Sequence, residues 1–131
     1  MPREAKIFRV QVFQGLPAVF LAPIYSLQTG ELLTAADVAS ITYELFDVEG
    51  ESPSTPIAEG TVTVAQALHA VKRDARWSED NIGYNFDHLI PGSVFPTSGK
   101  TYVLRYLFTA IGDASPSVAL VFSVYVLSTR G

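Results

Sequence analysis

The chain has 131 residues, 48% of them hydrophobic and 17% charged, with a formal net charge of −4 and no cysteine. That length suits one domain with one core, residues 1–131. The acidic balance excludes the basic stripe that nucleic acid demands, and the lack of cysteine excludes disulfides, thiolate metal sites and cysteine nucleophiles. Charged residues fall below the roughly 25% usual in soluble domains. Much of the surface is therefore neutral, as an interface would need and as small apolar-rich domains also show. The opening MPREAK carries mixed charge and no apolar signal-peptide core, and no stretch is long enough to span a bilayer. We expect the protein to fold where it is made, away from membranes.

Period two dominates. In IFRVQVF, Phe8, Val10 and Val12 alternate with Arg9, Gln11 and Phe13, a half-buried strand. Gln14-Gly15-Leu16-Pro17 is a turn, and Ala18 to Tyr25 is a second apolar run in which Pro23 marks an edge or a bulge. Thr34 to Asp37 fits the S/T-x-x-D/E capping pattern, so one helical turn begins at Ala35 and ends by Ser40. Ile41 to Phe46 then alternates as a strand, with Ile41, Tyr43 and Leu45 on one face. A polar loop from Asp47 to Pro56 leads to a β-branched strand, Gly60 to Val64.

AQALHAVKRDAR, Ala65 to Arg76, has helix-forming composition and reads as a short helix or an irregular crossover. Gly83 to Ile90 alternates again, followed by turns at Pro91-Gly92 and Pro96 to Gly99. Lys100 to Thr109 and Val118 to Leu127 form a long hairpin. It carries apolar weight on both faces, which places it mid-sheet with cover on both sides, some of it from another chain. Seven or so strands with these turn spacings predict an all-β fold, a single antiparallel β-sandwich with at most one short helix.

Chemistry is sparse. His88 adjoins Asp87, with Ser93 nearby, but neighbouring strand residues point to opposite faces and no nucleophile elbow is present. The acidic stretch Ser78-Glu79-Asp80-Asn81 lacks the alternating spacing of a calcium loop and reads as a solvated loop. Gly-rich phosphate cradles are missing, so no cofactor is implied. Trp77 with Tyr84 and Phe86 could build an aromatic platform for sugar or peptide. Tyr84 and Phe86 share a strand face with His88 and Ile90, which favours a place in the core. Arg105, a lone charge in an apolar strand, joins these three as a possible partner contact.

SGKTYVLRY, with Tyr102 after a turn glycine, resembles the E–F corner of immunoglobulin-like and fibronectin-like domains. The wider pattern is GELLTAADVASITYELFD, a polar loop, a β-branched strand, W…GYNF and the TYVLRYLF…VFSVYV hairpin. It resembles the small immunoglobulin-like sandwich modules of tailed-phage virions, among them the N-terminal domains of baseplate upper proteins and related head or tail accessory proteins. Gly30, Leu33, Thr34, Ala36, Val38, Ile41 and Asp47 carry that likeness. The resemblance implies a non-enzymatic virion structural protein, a capsid decoration (cement) protein or a tail or neck adaptor. Made in the host cytoplasm, it would bind a symmetric protein lattice and self-associate, by analogy as a trimer. The alternative is a carbohydrate- or peptide-binding module using Trp77 and its neighbouring loops.

Overall fold

In a computed structural model the described residues are 7–25, 33–50, 55–72, 84–95, 97–112 and 118–128. They contain eight strands: β1 (Ile7–Phe13), β2 (Ala18–Ala22), β3 (Val38–Asp47), β4 (Ala58–Val62), β5 (Leu68–Lys72), β6 (Tyr84–Ile90), β7 (Thr101–Ala110) and β8 (Val118–Leu127). One short helix, α1 (Val64–Ala67), precedes β5. The strands form a five-stranded sheet, β1-β8-β7-β3-β4, and a three-stranded sheet, β2-β6-β5. The chain is thus the expected all-β sandwich.

Alternation makes the two layers. In β7, Tyr102, Leu104, Tyr106 and Phe108 are buried while the residues between them are only half covered. β8 repeats the pattern with Leu120, Phe122, Val124 and Val126. The small sheet closes over this face: Phe86 meets Tyr106 edge-on at 4.8 Å between ring centroids, and Phe20 meets Phe122 at 5.0 Å. Rings from both sheets interlock in this way to form one continuous core.

The hairpin lies mid-sheet as expected, and β2 ends before Pro23 at the edge of the small sheet. Three features differ from the sequence expectation. The ambiguous segment after Val64 divides: one helical turn, then β5, whose pairing with β6 shifts register between Leu68 and Lys72. The capping pattern yields a 3₁₀ turn over Ala35–Asp37 in which the Thr34 hydroxyl bonds the Asp37 carboxylate at 2.8 Å, and β3 begins directly at Val38. Lastly, β1 runs parallel to β8, so the sheets are not antiparallel throughout.

Close backbone approach fixes the junction after β6. Gly15 takes φ +71° in the turn after β1, and its N–H donates to the Phe95 carbonyl at 3.0 Å. A Cβ on Gly92 would lie 2.2 Å from the Gly15 carbonyl oxygen, so only glycine fits there.

Candidate functional site

Two places gather polar or exposed apolar groups in a built arrangement. The first is the outer face of the five-stranded sheet. Register aligns Arg9, Ser123, Val103 and Phe46 in one row and Val121, Arg105 and Glu44 in the next, with Leu107 and Thr42 beyond. Arg105 stands directly opposite Glu44, and both its Nε (3.1 Å) and its Nη2 donate to Glu44 Oε1. Its guanidinium also lies over the Phe46 ring, 5.2 Å from the centroid. The charge at the middle of this face is thereby neutralised in place. Toward the two edges stand the exposed charges Arg9 on β1 and Glu59 on β4, the latter in register with Glu44. Between them the face is neutral and apolar, and two of its aromatic side chains are open to solvent, Tyr125 at 42% and Phe13 at 52% exposure.

Where β3 ends and β7 begins, a latch holds the sheet. Lys100 Nζ donates to Asp47 Oδ2 at 2.8 Å, and the Thr101 N–H donates to Glu49 Oε2 at 2.6 Å. The hydrogen bond from Lys100 holds the Asp47 carboxyl below the ordinary carboxylate range, and the same bond raises the Lys100 ammonium.

The second place is a groove of about 330 Å³ between β4, α1 and β6, lined by Thr61, Thr63, Gln66, Asp87 and His88 among others. His88 points inward and shares a hydrogen bond between its Nδ1 and the Tyr106 hydroxyl at 2.8 Å. The Tyr43 ring lies 5.4 Å away, drawn over Gly60, whose missing side chain leaves it room. Burial lowers the His88 pKa, opposed by the charge of Asp87, and burial raises that of Tyr106. The pair is therefore neutral imidazole against neutral phenol. Nδ1, which a catalytic triad would turn toward a carboxylate, is turned toward a tyrosine.

Of the four contact residues read from the sequence, Phe86 and Arg105 are described with their side chains, and they lie on opposite sides of the large sheet. Phe86 is fully buried against Tyr106 and Phe108, the place in the core that its strand parity favours over an exposed platform. Arg105 lies on the opposite side of the large sheet from that core, bound to Glu44. Trp77 lies outside the described residues, as does the acidic stretch from Ser78 to Asn81; Tyr84 is described in its backbone, as the first residue of β6, but not in its side chain. Tyr102, matched to the structural tyrosine of the E–F corner, is buried edge-on to Phe95 at 5.8 Å.

Asn85 carried no signal in the sequence. It is buried in β6, where its Oδ1 accepts from the Ile24 N–H and its Nδ2 donates to the carbonyls of Ile24 and Leu33. Strand parity groups Asn85 with Asp87 and Leu89 on the outward side of β6, so the alternation gives no hint of such a role. Among the described residues, no three His, Asp or Glu side chains converge to hold a metal ion, and no helix is long and apolar enough to cross a membrane.

Comparison with protein-family models, curated proteins and solved structures finds no match to this chain.

Proposed function

We propose that this protein is a non-catalytic assembly domain that binds a protein surface through the outer face of its five-stranded sheet. The observation that carries this reading is the Arg105–Glu44 pair, set in the middle of a broad face with Tyr125 and Phe13 exposed beside it. The central pair, already matched, is cheaper to desolvate against a partner than free ions would be, and the exposed Arg9 and Glu59 stand to either side of it on the two edge strands. The small sheet's outer face also exposes Val19 and Leu89, paired across β2 and β6. It is the narrower of the two, with three strands against five.

The specific form of the proposal follows the resemblance to tailed-phage sandwich modules. The chain acts as a capsid decoration protein or a tail or neck adaptor, many copies of which sit on a symmetric lattice. Repetition supports modest contacts, since avidity multiplies them. The alternative of an aromatic sugar- or peptide-binding platform loses Phe86 to the core.

The test is co-migration with particles. Purified virions from the phage encoding the chain are banded on a density gradient, and the wild-type chain is expected in the particle band in stoichiometric amount. A folded Leu107→Glu variant, altered only on the outer face, is expected in the soluble fraction. Absence of the wild-type chain from the particles contradicts the virion role. A variant that bands as wild type contradicts the choice of face.

A further inference from the structure

Four strands stand at sheet edges, and three carry features that discourage further pairing. β2 is five residues long and is bracketed by Pro17 and Pro23. β4 is equally short and holds Gly60 at its centre. β5 is irregular in its own pairing with β6. Natural sheets protect their edges by these means.

β1 has none of them. IFRVQVF is seven residues long, without proline, glycine or lysine, and keeps unbroken register with β8. Among the described residues, no strand pairs with its other side. The direction of its backbone groups follows from the ladder. The Gln14 N–H donates to the Leu127 carbonyl at 2.8 Å, so the even-numbered residues turn their N–H and C=O toward β8. Those of Ile7, Arg9 and Gln11, together with the Phe13 N–H, turn to the open side, while the Phe13 carbonyl already accepts from Leu16 N–H.

We infer that two copies of this chain pair through β1, antiparallel about a two-fold axis at Val10, so that their five-stranded sheets join into one of ten strands. The register is set by chemistry. Outward-facing residues can pair only odd with odd. Centring on Arg9 would place Arg9 opposite its own copy, which like charges disfavour. Centring on Gln11 shortens the ladder and runs it into the Gly15 turn. Centring on Val10 sets Arg9 opposite Gln11, Phe8 opposite Val12 and Phe13 opposite Ile7, using the full strand. It also covers the exposed Phe13 and brings the half-buried Val10 of each copy together on the core side. Such a contact is isologous and closes, so it yields a dimer and not a fibre. A seven-residue ladder is only about 23 Å long, which makes the dimer weak and concentration-dependent. The pairing stands on the β1 edge and shares only the exposed Phe13 with the outer face proposed to bind the partner, leaving Tyr125 and Leu107 open.

The experiment is light scattering coupled to size exclusion on the full chain, from micromolar concentrations to about 1 mM. Wild type is expected to pass from the monomer mass toward twice that value. Gln11 is exposed on the outer face, so replacing it leaves the core intact. Gln11→Glu, set opposite Arg9 of the other copy, is expected to tighten the dimer about fivefold, and Gln11→Arg to weaken it about as much, through two symmetric cross-strand pairs. Circular dichroism confirms that both variants fold. A wild-type monomer at every concentration overturns the inference, and so does a dimer that the two opposite charges leave unmoved. A monomer that still bands with particles overturns this pairing alone and leaves the proposed outer-face function standing.

Discussion

Asn85 and Ile24 bond each other in both directions across 61 residues of sequence: the Ile24 N–H donates to Asn85 Oδ1 at 2.7 Å, and Asn85 Nδ2 donates to the Ile24 carbonyl at 3.3 Å. The same amide also donates to the Leu33 carbonyl at 2.8 Å, so one side chain satisfies three backbone groups buried where the chain leaves β2 and where it returns toward β3. Asn85→Ala orphans the Ile24 N–H and the Leu33 carbonyl, while the Ile24 carbonyl keeps its bond from the Leu33 N–H at 2.7 Å. The expected cost is about 2 kcal/mol or more, read from urea unfolding. Asn85→Asp keeps the acceptor and loses the donors, so it also destabilises. A cost under about 1 kcal/mol for the alanine variant would show that Asn85 is not the tie described.

Gly92 and Gly15 touch backbone to backbone. Gly92→Ala forces its methyl group against the Gly15 carbonyl, with no flexible side chain to yield. The expected loss is on the order of 3 kcal/mol, typical of severe overpacking, and it is measured as a lowered thermal midpoint. Gly99→Ala provides the contrast. Gly99 sits at φ +80° with open space around it, so its substitution meets backbone strain but no clash and costs less.

His88 makes stability depend on pH, with a sign that follows from its lowered pKa. The unfolded imidazole takes a proton near its ordinary value of about 6.5, whereas the folded one, partly buried, resists it until lower pH. The neutral form's contribution is therefore complete above about pH 6.5 and is lost as pH falls from there through the folded value. Thermal midpoints between about pH 7.5 and 5 are expected to fall more steeply for wild type than for His88→Gln. Equal slopes would show that His88 is not held neutral by the fold.

Leu104 and Leu107, three positions apart on β7, separate the two faces of the sheet. Leu104 is fully buried, and Leu104→Ala is expected to cost about 3 kcal/mol. Leu107 is only partly covered, on the outer face, and Leu107→Glu should stay within about 1 kcal/mol of wild type. Chemical denaturation of both variants distinguishes a stabilising core from a face kept apolar for another purpose.

The alternation of β3, β7 and β8 is plain in the sequence because each has a buried face and a half-open one, and parity alone puts Tyr106 inside and Arg105 outside. β5 was hidden because its first residues continue a run of good helix formers, and packing of Leu68 in the core overrides that propensity. The parallel partnership of β1 with β8 joins the two ends of the chain, and no local pattern encodes such a pairing. Site residues were less legible. Arg105 was found as a charge out of place, but its neutralisation by Glu44 depends on strand register across 61 residues. Phe86 illustrates the reverse: an aromatic beside a polar loop suggests a platform, while its alternation with buried neighbours places it in the core.

The central claim is that the outer face of the five-stranded sheet meets the partner. Hydroxyl-radical footprinting of the chain, free and particle-bound, reads it side chain by side chain. The account predicts that Tyr125 and Leu107 lose reactivity on binding while Val19 and Leu89, exposed on the small sheet, keep theirs. Protection of Val19 and Leu89 with Tyr125 and Leu107 unchanged would contradict it.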